Sequence, residues 1–314
     1  MNLKKPKFWD KKNPGFLAYL LLPISIIINL LNQFKKKTKV KNLKIKTICV
    51  GNFYIGGTGK TSLCIKINEI LNKENIKSCF VKKIYSNQSD EQKLLGNKGP
   101  LILKKNRLDA INIAASEGYE IAILDDGLQD HSIECDLKFV CFNNINWIGN
   151  GLTIPAGPLR EKITKLKDYQ NVFLNGNLEN LETIKNQIYK INSRINIHIG
   201  KYEFLNLKEF DKTHKYLVFS GIGNHCTFVS MLKNYGLNIF KDIEFADHYK
   251  YSNNDIHKIS VEANDNNCKI ITTEKDYLRL QKNHINQIKF VKSELQIIDE
   301  QKLIDTILGS YETN

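Results

Sequence analysis

Arginine, methionine and tryptophan are scarce in this 314-residue chain, and none of its seven cysteines forms a C-x-x-C pair. Because the cysteines are scattered and odd in number, neither a disulfide framework nor a zinc site is predicted, and a reducing cytosol suits them. We interpret them as small core residues. Only four of the 46 basic residues are Arg, in a chain rich in Lys, Asn and Ile. We therefore attribute part of the lysine excess to a compositional bias and not to function.

Acidic residues are almost absent from the first 50 positions, which hold 12 Lys and one acid, Asp10. This segment carries most of the formal net charge of +13, so the rest of the chain is nearly neutral. A nucleic-acid-binding protein would need basic residues on its folded body, and that class is not favoured. With 42% hydrophobic residues the chain can bury a core, and its length fits one large or two modest domains.

The segment Phe16–Leu31 is an uncharged run of 16 residues, FLAYLLLPISIIINLL, with lysines before and after it. It is shorter than the ~20 residues that cross a bilayer, it is interrupted by Pro23, and no A-x-A-like cleavage site follows. The lysines lie on both sides of the run, whereas a membrane-spanning segment is expected to have an excess of positive charge on one side. We predict a helix in the membrane interface, with ammonium groups on anionic headgroups. The alternative is a buried helix with solvated lysines.

The segment Gly51–Thr61, GNFYIGGTGKT, lies between the β-branched run Lys46–Val50 and a stretch with helical apolar spacing. Strand, glycine-rich loop and helix form a phosphate-binding arrangement, in which backbone N–H groups converge on phosphate oxygens. Lys60 would reach the β- and γ-phosphates, and the Thr61 hydroxyl would ligate Mg²⁺. The strict pattern has Gly where this chain has Tyr54. The alternative is a glycine-rich turn that precedes Lys-Thr by chance.

Three later stretches carry further candidates. The buried-strand run Tyr119–Leu124 ends in Asp-Asp-Gly, and carboxylates at the end of a parallel strand can lie beside a phosphate loop and hold Mg²⁺. A rigid Gly/Pro-rich loop ends in Arg160 and Glu161, which could face phosphate or metal, although such a loop also suits a connector. His248 follows Asp247 after an apolar strand, and a lone His is more often structural than catalytic.

In this order, GN-x3-GGTGKT, DE, DDGLQ, GNG-x3-PAGPLRE, FSGIGN, FADHY and TTEKD resemble the tetraacyldisaccharide 4′-kinase (lipid A 4′-kinase) family over nearly the whole chain. The resemblance implies a membrane-associated P-loop kinase that uses ATP and Mg²⁺ to phosphorylate the 4′-hydroxyl of a lipid-linked glucosamine disaccharide. It implies an amphiphilic lipid substrate. From the nearly neutral body of the chain we expect no nucleic-acid partner, and no obligate protein partner is evident from the sequence. The location would be the cytoplasmic face of the bacterial inner membrane, in peripheral or monotopic attachment at an anionic surface.

The resemblance also implies roles for individual residues. The ATP loop would comprise Tyr54, Ile55, Gly56, Gly57, Thr58, Gly59, Lys60 and Thr61. The metal site would comprise Thr61, Asp125, Asp126 and Glu161, with Gln129 and Arg160 as further candidates. Asp90 would be the base that accepts the proton of the sugar hydroxyl, with His248 as its partner, and Lys60 would neutralise charge on the transferred phosphoryl group.

The chain departs from the family pattern at three places. Residues 82–87 stand where an Arg-Gly-Tyr-Gly-Arg-like stretch is usual, and this difference concerns acceptor-side contacts more than phosphate binding. Asp130 stands where the family commonly has His, with His131 one place later. His225 stands where Pro is usual after GIGN.

Strand-like and helical runs alternate along the chain, which favours an α/β fold. We predict a P-loop NTPase-type parallel sheet flanked by helices, a second smaller α/β lobe and an N-terminal membrane-associating helix. The expected domains are a membrane-associating segment (1–45), a P-loop kinase domain (46–195) and a lobe that completes the active site (196–314). A polar, irregular region at Ser193–Thr213 would join the last two.

Two other classes stay open at this point. Partitioning or septum-placement ATPases also carry GGTGKT, but they place a signature Lys immediately before the Gly-Gly pair, where this chain has Ile55. A non-enzymatic membrane adaptor that retains a relic nucleotide loop is the second alternative.

Overall fold

The computed structural model describes residues 5–34, 40, 43–84, 89–130, 132–280 and 287–312, with the backbone alone at 32–34, 89, 90 and 312. The chain divides into two compact units. The first comprises Pro6–Gly200 together with Ile297–Asn314, and the second comprises Lys201–Gln296 with the first five residues. The predicted three-part domain division and its functional roles stay a prediction.

The described residues form the following strands and α-helices. The strands are β1 (Lys46–Asn52), β2 (Ser78–Lys83), β3 (Leu101–Lys104), β4 (Ile121–Asp125), β5 (Leu137–Asn143), β6 (Asn171–Asn175), β7 (Asn196–Phe204), β8 (Lys215–Ser220), β9 (Asn238–Glu244), β10 (Cys268–Thr273), β11 (Ile288–Val291) and β12 (Ser293–Ile297). The helices are α1 (Phe16–Phe34), α2 (Lys60–Lys73), α3 (Ser89–Gly96), α4 (Arg107–Ser116), α5 (Leu181–Ile191), α6 (His225–Asn234), α7 (Asn253–Asp265), α8 (Glu274–Tyr277) and α9 (Glu300–Glu312).

The first sheet has the strand order β12-β7-β6-β5-β1-β4-β2-β3, and its pairs from β3 to β7 are parallel. Nearly every residue of β1, β4 and β6 is buried, as expected for strands that are covered on both faces. β1 lies between β4 and β5, with Val50 opposite Asp125. The carboxyl ends of β1 and β4 therefore meet, which brings the glycine-rich loop and the Asp-Asp pair to one edge of the sheet.

The second unit contains a four-stranded parallel sheet with the order β11-β10-β8-β9. α6 packs on β9, and α7 packs on β10 and β8. Two apolar clusters form its core, one around Val218 and Leu232 and the other around Phe219 and Ile259. Both units are thus layered α/β structures, and the predicted α/β class with a parallel sheet flanked by helices is confirmed.

Two local predictions are wrong. The region Ser193–Thr213, predicted to be an irregular linker, contains the nine-residue strand β7. Its sequence, NIHIGKYEF, alternates apolar and polar residues, so it has no continuous apolar run. Cysteines are buried as predicted at six positions, but Cys226 is exposed on α6.

Helix α1 is continuous over 19 residues, with Pro23 inside it, so the prediction that Pro23 interrupts this segment is also wrong. The helix is not an ordinary core helix, because most of its large apolar side chains are exposed. This surface, the α1 apolar face, comprises Phe16, Leu17, Tyr19, Leu20, Ile24, Ile26, Ile27, Ile28, Leu30 and Leu31. Among the described helices, none has the length and apolarity needed to cross a membrane.

One buried polar residue of the first sheet, His198, has no hydrogen-bond partner among the described residues. His198 in β7 is 2% exposed and packs against the Phe139 ring, with the ring centroids 5.6 Å apart. Neither of its ring nitrogens has a hydrogen-bond partner among the described residues. Burial, together with the Lys302 ammonium, lowers the pKa of His198 to about 4. The folded protein therefore holds this ring neutral at pH values where an exposed His takes up a proton.

We expect His198→Phe to leave stability at pH 7 unchanged or raise it by about 1 kcal/mol, because an unsatisfied polar group is removed. As the pH falls from 6.5 to 4, the unfolded wild-type chain binds a proton at His198 and the folded chain does not. The wild type should therefore lose about 3 kcal/mol more than the variant over this window. Urea unfolding at pH 7 and pH 4 measures the difference. The exposed His214→Ala control should follow the wild type, and identical pH profiles for wild type and His198→Phe would contradict the prediction.

Candidate active site

The glycine-rich loop joins β1 to α2 in a conformation that needs glycine at two positions. Gly56 has φ 128°, and Gly59, which caps α2, has φ 78°. Helix α2 then begins at Lys60. The first N–H groups of a helix have no partner within it, and the helix dipole adds partial positive charge there. The loop therefore has the geometry of an anion-binding site, which suits phosphate groups.

Tyr54, which stands where the strict motif has a glycine, is buried at the start of this loop. Its side chain is 2% exposed, and its hydroxyl donates a hydrogen bond to Asp10 at 2.5 Å. The next residue, Ile55, donates its N–H to the Pro158 carbonyl at 2.9 Å, and Tyr54 forms a β-bridge with Leu159. Tyr54 thus anchors the start of the loop to the core.

Buried asparagines at the ends of three neighbouring strands support the loop from below. Asn52 at the end of β1 donates to the carbonyls of Tyr54 (2.6 Å) and Gly56 (3.2 Å). Asn175 at the end of β6 donates to the Thr58 carbonyl at 2.6 Å and accepts from Asn143 of β5 at 3.1 Å. These amides satisfy backbone groups that the irregular loop leaves outside the sheet.

Asp125 ends β4 directly beside the start of α2, and its carboxylate is fully buried. Its Oδ2 accepts hydrogen bonds from the Lys82 ammonium (2.5 Å) and the Thr61 hydroxyl (3.3 Å). Its Oδ1 is buried and has no hydrogen-bond partner among the described residues. A hydroxyl beside an uncompensated carboxylate oxygen is a donor set that suits Mg²⁺, which prefers oxygen ligands and keeps several waters or phosphate oxygens.

The same described ranges contain no cluster of three or more His, Cys, Asp or Glu side chains with metal-site spacing. Mg²⁺ is usually held by one or two carboxylates together with substrate phosphates, and Thr61 with Asp125 fits that mode of binding.

Asp126 faces cations at the mouth of the loop. Its Oδ1 accepts a hydrogen bond from Arg160 at 2.8 Å and lies 3.8 Å from the Lys60 ammonium. Burial would raise the pKa of Asp126, but Lys60 and Arg160 outweigh it and hold that pKa below its usual value. Lys60 and Arg160 are therefore placed together as two cations at the phosphate loop.

Gln129 and Glu161 complete this cluster. The Gln129 amide donates to the Asn52 carbonyl (3.0 Å) and to Glu161 Oε1 (3.3 Å), and its oxygen accepts from Arg160 at 3.0 Å. The Arg160 N–H in turn donates to the Phe53 carbonyl at 2.6 Å. The structure thus brings together, at one sheet edge, the loop, both aspartates and the predicted Gln129, Arg160 and Glu161.

Lys82 is a member of this site that the sequence did not reveal as such. Its side chain is 2% exposed, and its ammonium contacts Glu91 at 2.6 Å in addition to Asp125. Burial opposes the charge, but the two carboxylates outweigh it and raise the pKa of Lys82 above its usual value. Lys82 therefore ties helix α3, which carries Glu91, to the carboxyl end of β4.

The first two departures from the family pattern contact each other. Lys83, which ends β2 and belongs to the atypical stretch, pairs with Asp130 at 2.9 Å, and Asp130 also accepts from Arg107 at 3.1 Å. Although burial opposes it, these hydrogen bonds and that from Ser132 lower the pKa of Asp130 below its usual value. Arg107 also donates to the Asp126 carbonyl at 2.6 Å. The substituted residues thus support the backbone of the Asp-Asp pair.

The third departure, His225, is a buried residue at the start of α6. Its Nδ1 lies 2.7 Å from the Ser220 hydroxyl, and its Nε2 lies 2.9 Å from Asp242. The ring therefore bridges β8 and β9 at the carboxyl end of the second sheet.

The remaining two predicted residues are in different units. Asp90 lies in the first turn of α3, and its side chain is outside the described residues, as is all of His131. His248 follows β9 in the second unit, with φ 58°, an uncommon backbone conformation for a residue with a side chain. Its N–H donates to the Gly221 carbonyl at 3.1 Å. The predicted Asp90–His248 pair stays a prediction.

Comparisons with known proteins agree with this geometry. The model of the LpxK family, tetraacyldisaccharide-1-P 4′-kinase, matches residues 17–312. A tetraacyldisaccharide 4′-kinase from Pelagibacter ubique (strain HTCC1062) is 60% identical over 314 residues and covers all of both chains. The corresponding protein of Rickettsia canadensis (strain McKiel) is 35% identical, with 89% of each chain covered.

The fold is also similar to that of a solved protein, the LpxK of Aquifex aeolicus crystallised in complex with ATP. That structure superposes with a TM-score of 0.66 at 22% identity, over 94% of this chain and 100% of the other. At this identity the likeness concerns the fold. The full-length match at 60% identity and the family model together settle the relationship: the chain belongs to the LpxK family of tetraacyldisaccharide-1-P 4′-kinases.

Proposed function

We propose that this protein is an ATP-dependent kinase that transfers the γ-phosphate to the 4′-hydroxyl of tetraacyldisaccharide 1-phosphate, a step of lipid A biosynthesis. Its family membership and the names of its full-length relatives support the acceptor. The observation that carries the chemistry is the placement of Lys60 3.8 Å from Asp126 and of Thr61 3.3 Å from Asp125. A nucleotide loop with this acidic edge suits phosphoryl transfer.

The two alternative classes are less well supported. A partitioning ATPase would place its signature Lys at position 55, where this chain has an isoleucine whose N–H is bound to the Pro158 carbonyl. A relic adaptor would have no reason to maintain a buried charge at Asp125, which costs several kcal/mol unless compensated.

In the proposed reaction, Lys60 and Arg160 neutralise charge on the transferred phosphoryl oxygens, and the α2 N-terminus binds phosphate. Thr61 and Asp125 would hold Mg²⁺, with Asp126 and Glu161 as further candidates, and the ion would neutralise negative charge on phosphate oxygens. Asp90 would accept the proton of the sugar hydroxyl, with His248 as its partner. The kinase domain (46–195) and the second lobe (196–314) would supply these groups jointly.

The proposal includes attachment to an anionic membrane surface at the cytoplasmic face, where the lipid acceptor would be found. The α1 apolar face supports it, because ten large apolar side chains exposed on one helix are costly in water and suit the acyl boundary of a bilayer. The N-terminal lysines would add attraction to anionic headgroups.

Replacing Lys60 tests the proposed chemistry. We expect Lys60→Ala to reduce transfer of labelled γ-phosphate from ATP to a monophosphorylated lipid disaccharide in detergent micelles by on the order of 10²–10³-fold, because a cation that stabilises the transferred group is lost. Lys73→Ala, an exposed lysine at the other end of α2, is the matched control and should retain full activity. A wild-type protein that binds ATP but forms no product would favour the adaptor.

Replacing Asp125 tests the metal site without relying on turnover. In Asp125→Asn the Mg²⁺ concentration that half-maximally promotes ATP binding should rise at least about tenfold, because a charged oxygen ligand becomes an amide. Equilibrium binding of a fluorescent ATP analogue during an Mg²⁺ titration measures this. The exposed Asp109→Asn serves as control, and an unchanged Mg²⁺ requirement in Asp125→Asn would remove this carboxylate from the metal site.

Polar substitutions on α1 test membrane attachment. The double variant Leu20→Gln/Ile27→Gln should bind vesicles of phosphatidylglycerol and phosphatidylethanolamine at least about tenfold more weakly, because two side chains worth roughly 2 kcal/mol each on burial are lost. Co-sedimentation measures binding. Leu205→Gln/Leu278→Gln removes two exposed leucines from the other unit and should have no effect. Equal binding by all three proteins would refute the role of the α1 apolar face.

A further inference from the structure

The segment Thr272–Asp276, TTEKD, has no part in the transfer described above, yet it contains a carboxylate with no solvent exposure. Asp276 Oδ2 accepts a hydrogen bond from the Thr273 hydroxyl at 2.7 Å. Its Oδ1 accepts from the Gly221 N–H (3.1 Å), the Tyr251 hydroxyl (2.9 Å) and Arg279 (3.0 Å). Burial and the carboxylate raise the pKa of Tyr251, so that hydroxyl remains a donor. Asp276 is therefore held rigidly from four sides.

Arg279 extends from this carboxylate to His248. Its NH1 group donates to Asp276 and to the Gly221 carbonyl at 2.8 Å, and its NH2 group lies 3.4 Å from Nδ1 of His248. The Gly221 carbonyl also accepts the His248 N–H. The backbone and the ring of His248 are thus fixed to the same point, the carboxyl end of β8.

The chemistry of the guanidinium determines which ring nitrogen carries the proton. Arginine has five N–H donors and no acceptor, so Nδ1 of His248 must present its lone pair. The ring proton then lies on Nε2, which is 3.8 Å from Oδ1 of Asp247. Within the described part of the chain, the Arg279 cation lies on the Nδ1 side of this ring and the Asp247 carboxylate on its Nε2 side.

We propose that Arg279, clamped by Asp276, is a positioning residue that fixes the His248 ring in one orientation as the neutral Nε2–H tautomer. This inference rests on the proposed function in that His248 takes part in the transfer. It specifies the part taken: with Nδ1 occupied, His248 donates a hydrogen bond from Nε2 to a carboxylate and does not itself remove a proton.

The proton balance of the transfer follows from this assignment. The sugar O–H bond breaks, and its proton passes to the carboxylate of Asp90. The hydroxyl oxygen forms a bond to the γ-phosphorus as the bond to the β–γ bridging oxygen breaks, and ADP leaves with that electron pair. His248 keeps its Nε2 proton throughout.

A spectroscopic experiment tests the tautomer directly. In full-length protein with ¹⁵N-labelled histidine, the His248 ring signals are identified by their disappearance in His248→Gln. At pH 7.5 we expect one Nδ1 resonance with the shift of an unprotonated nitrogen and one Nε2 resonance with that of a protonated nitrogen. In Arg279→Met both shifts should move towards averaged values, as tautomers exchange. Arg194→Met, at an exposed arginine, should leave them unchanged. A protonated Nδ1 in the wild type overturns the inference.

Kinetics separate positioning from a general effect on folding. Arg279→Met should lower kcat by about tenfold or more through loss of ring orientation, while the KM for ATP changes less than about twofold. Arg279→Lys, which keeps the positive charge on a single ammonium group, should recover part of kcat. An Arg279→Met protein with wild-type kcat overturns the inference. Absence of kinase activity in the wild type would instead contradict the proposed function. The tautomer measurement would still show whether Arg279 holds the His248 ring in the Nε2–H form.

Discussion

The fully buried Asp125 carboxylate is the constraint around which the phosphate-binding site is arranged. Removing such an ion from water costs several kcal/mol unless charges and donors replace the lost hydration. Lys82 and Thr61 supply them for one oxygen, and the other stays without a partner among the described residues. The buried Lys82 ammonium also contacts a second carboxylate, that of Glu91. Because Glu91 lies on α3, this contact connects α3 to the site. The helix that carries the candidate base is therefore tied to the candidate metal-binding carboxylate by one ammonium group.

The sequence predicted the parts of the site that are encoded locally. A glycine-rich loop between strand and helix, and an Asp-Asp pair ending an apolar run, are recognisable alone, and parallel strands bring their carboxyl ends together. Strand β7 was missed because it alternates polar and apolar residues. Lys82 was missed because its partner Asp125 is 43 residues away. No local pattern distinguishes a lysine that will be buried between two carboxylates from the many solvated lysines of this chain.

One compositional signal could have located further members of the networks. Only four of the 46 basic residues are arginine. Arg107 supports the backbone of the Asp-Asp pair, Arg160 binds Asp126, and Arg279 binds Asp276, whereas Arg194 is exposed. Three of the four arginines thus occupy positions that use a planar, multi-donor group, whereas lysine offers a point charge. Rarity of a residue type thus carries information that motif spacing does not.

The loop that ends in Arg160 connects the N-terminal helix to the nucleotide site. Ser25 of α1 donates to the Thr153 carbonyl (2.9 Å) and accepts the Ala156 N–H (3.0 Å). From the same loop the Pro158 carbonyl and the Arg160 N–H bind the backbone of the glycine-rich loop at Ile55 and Phe53. A short, proline-containing segment therefore hydrogen-bonds to α1 at one end and to the backbone of the glycine-rich loop at the other. The helix proposed to attach the protein to a membrane and the loop proposed to bind ATP are therefore supported by one shared segment rather than by two separate surfaces.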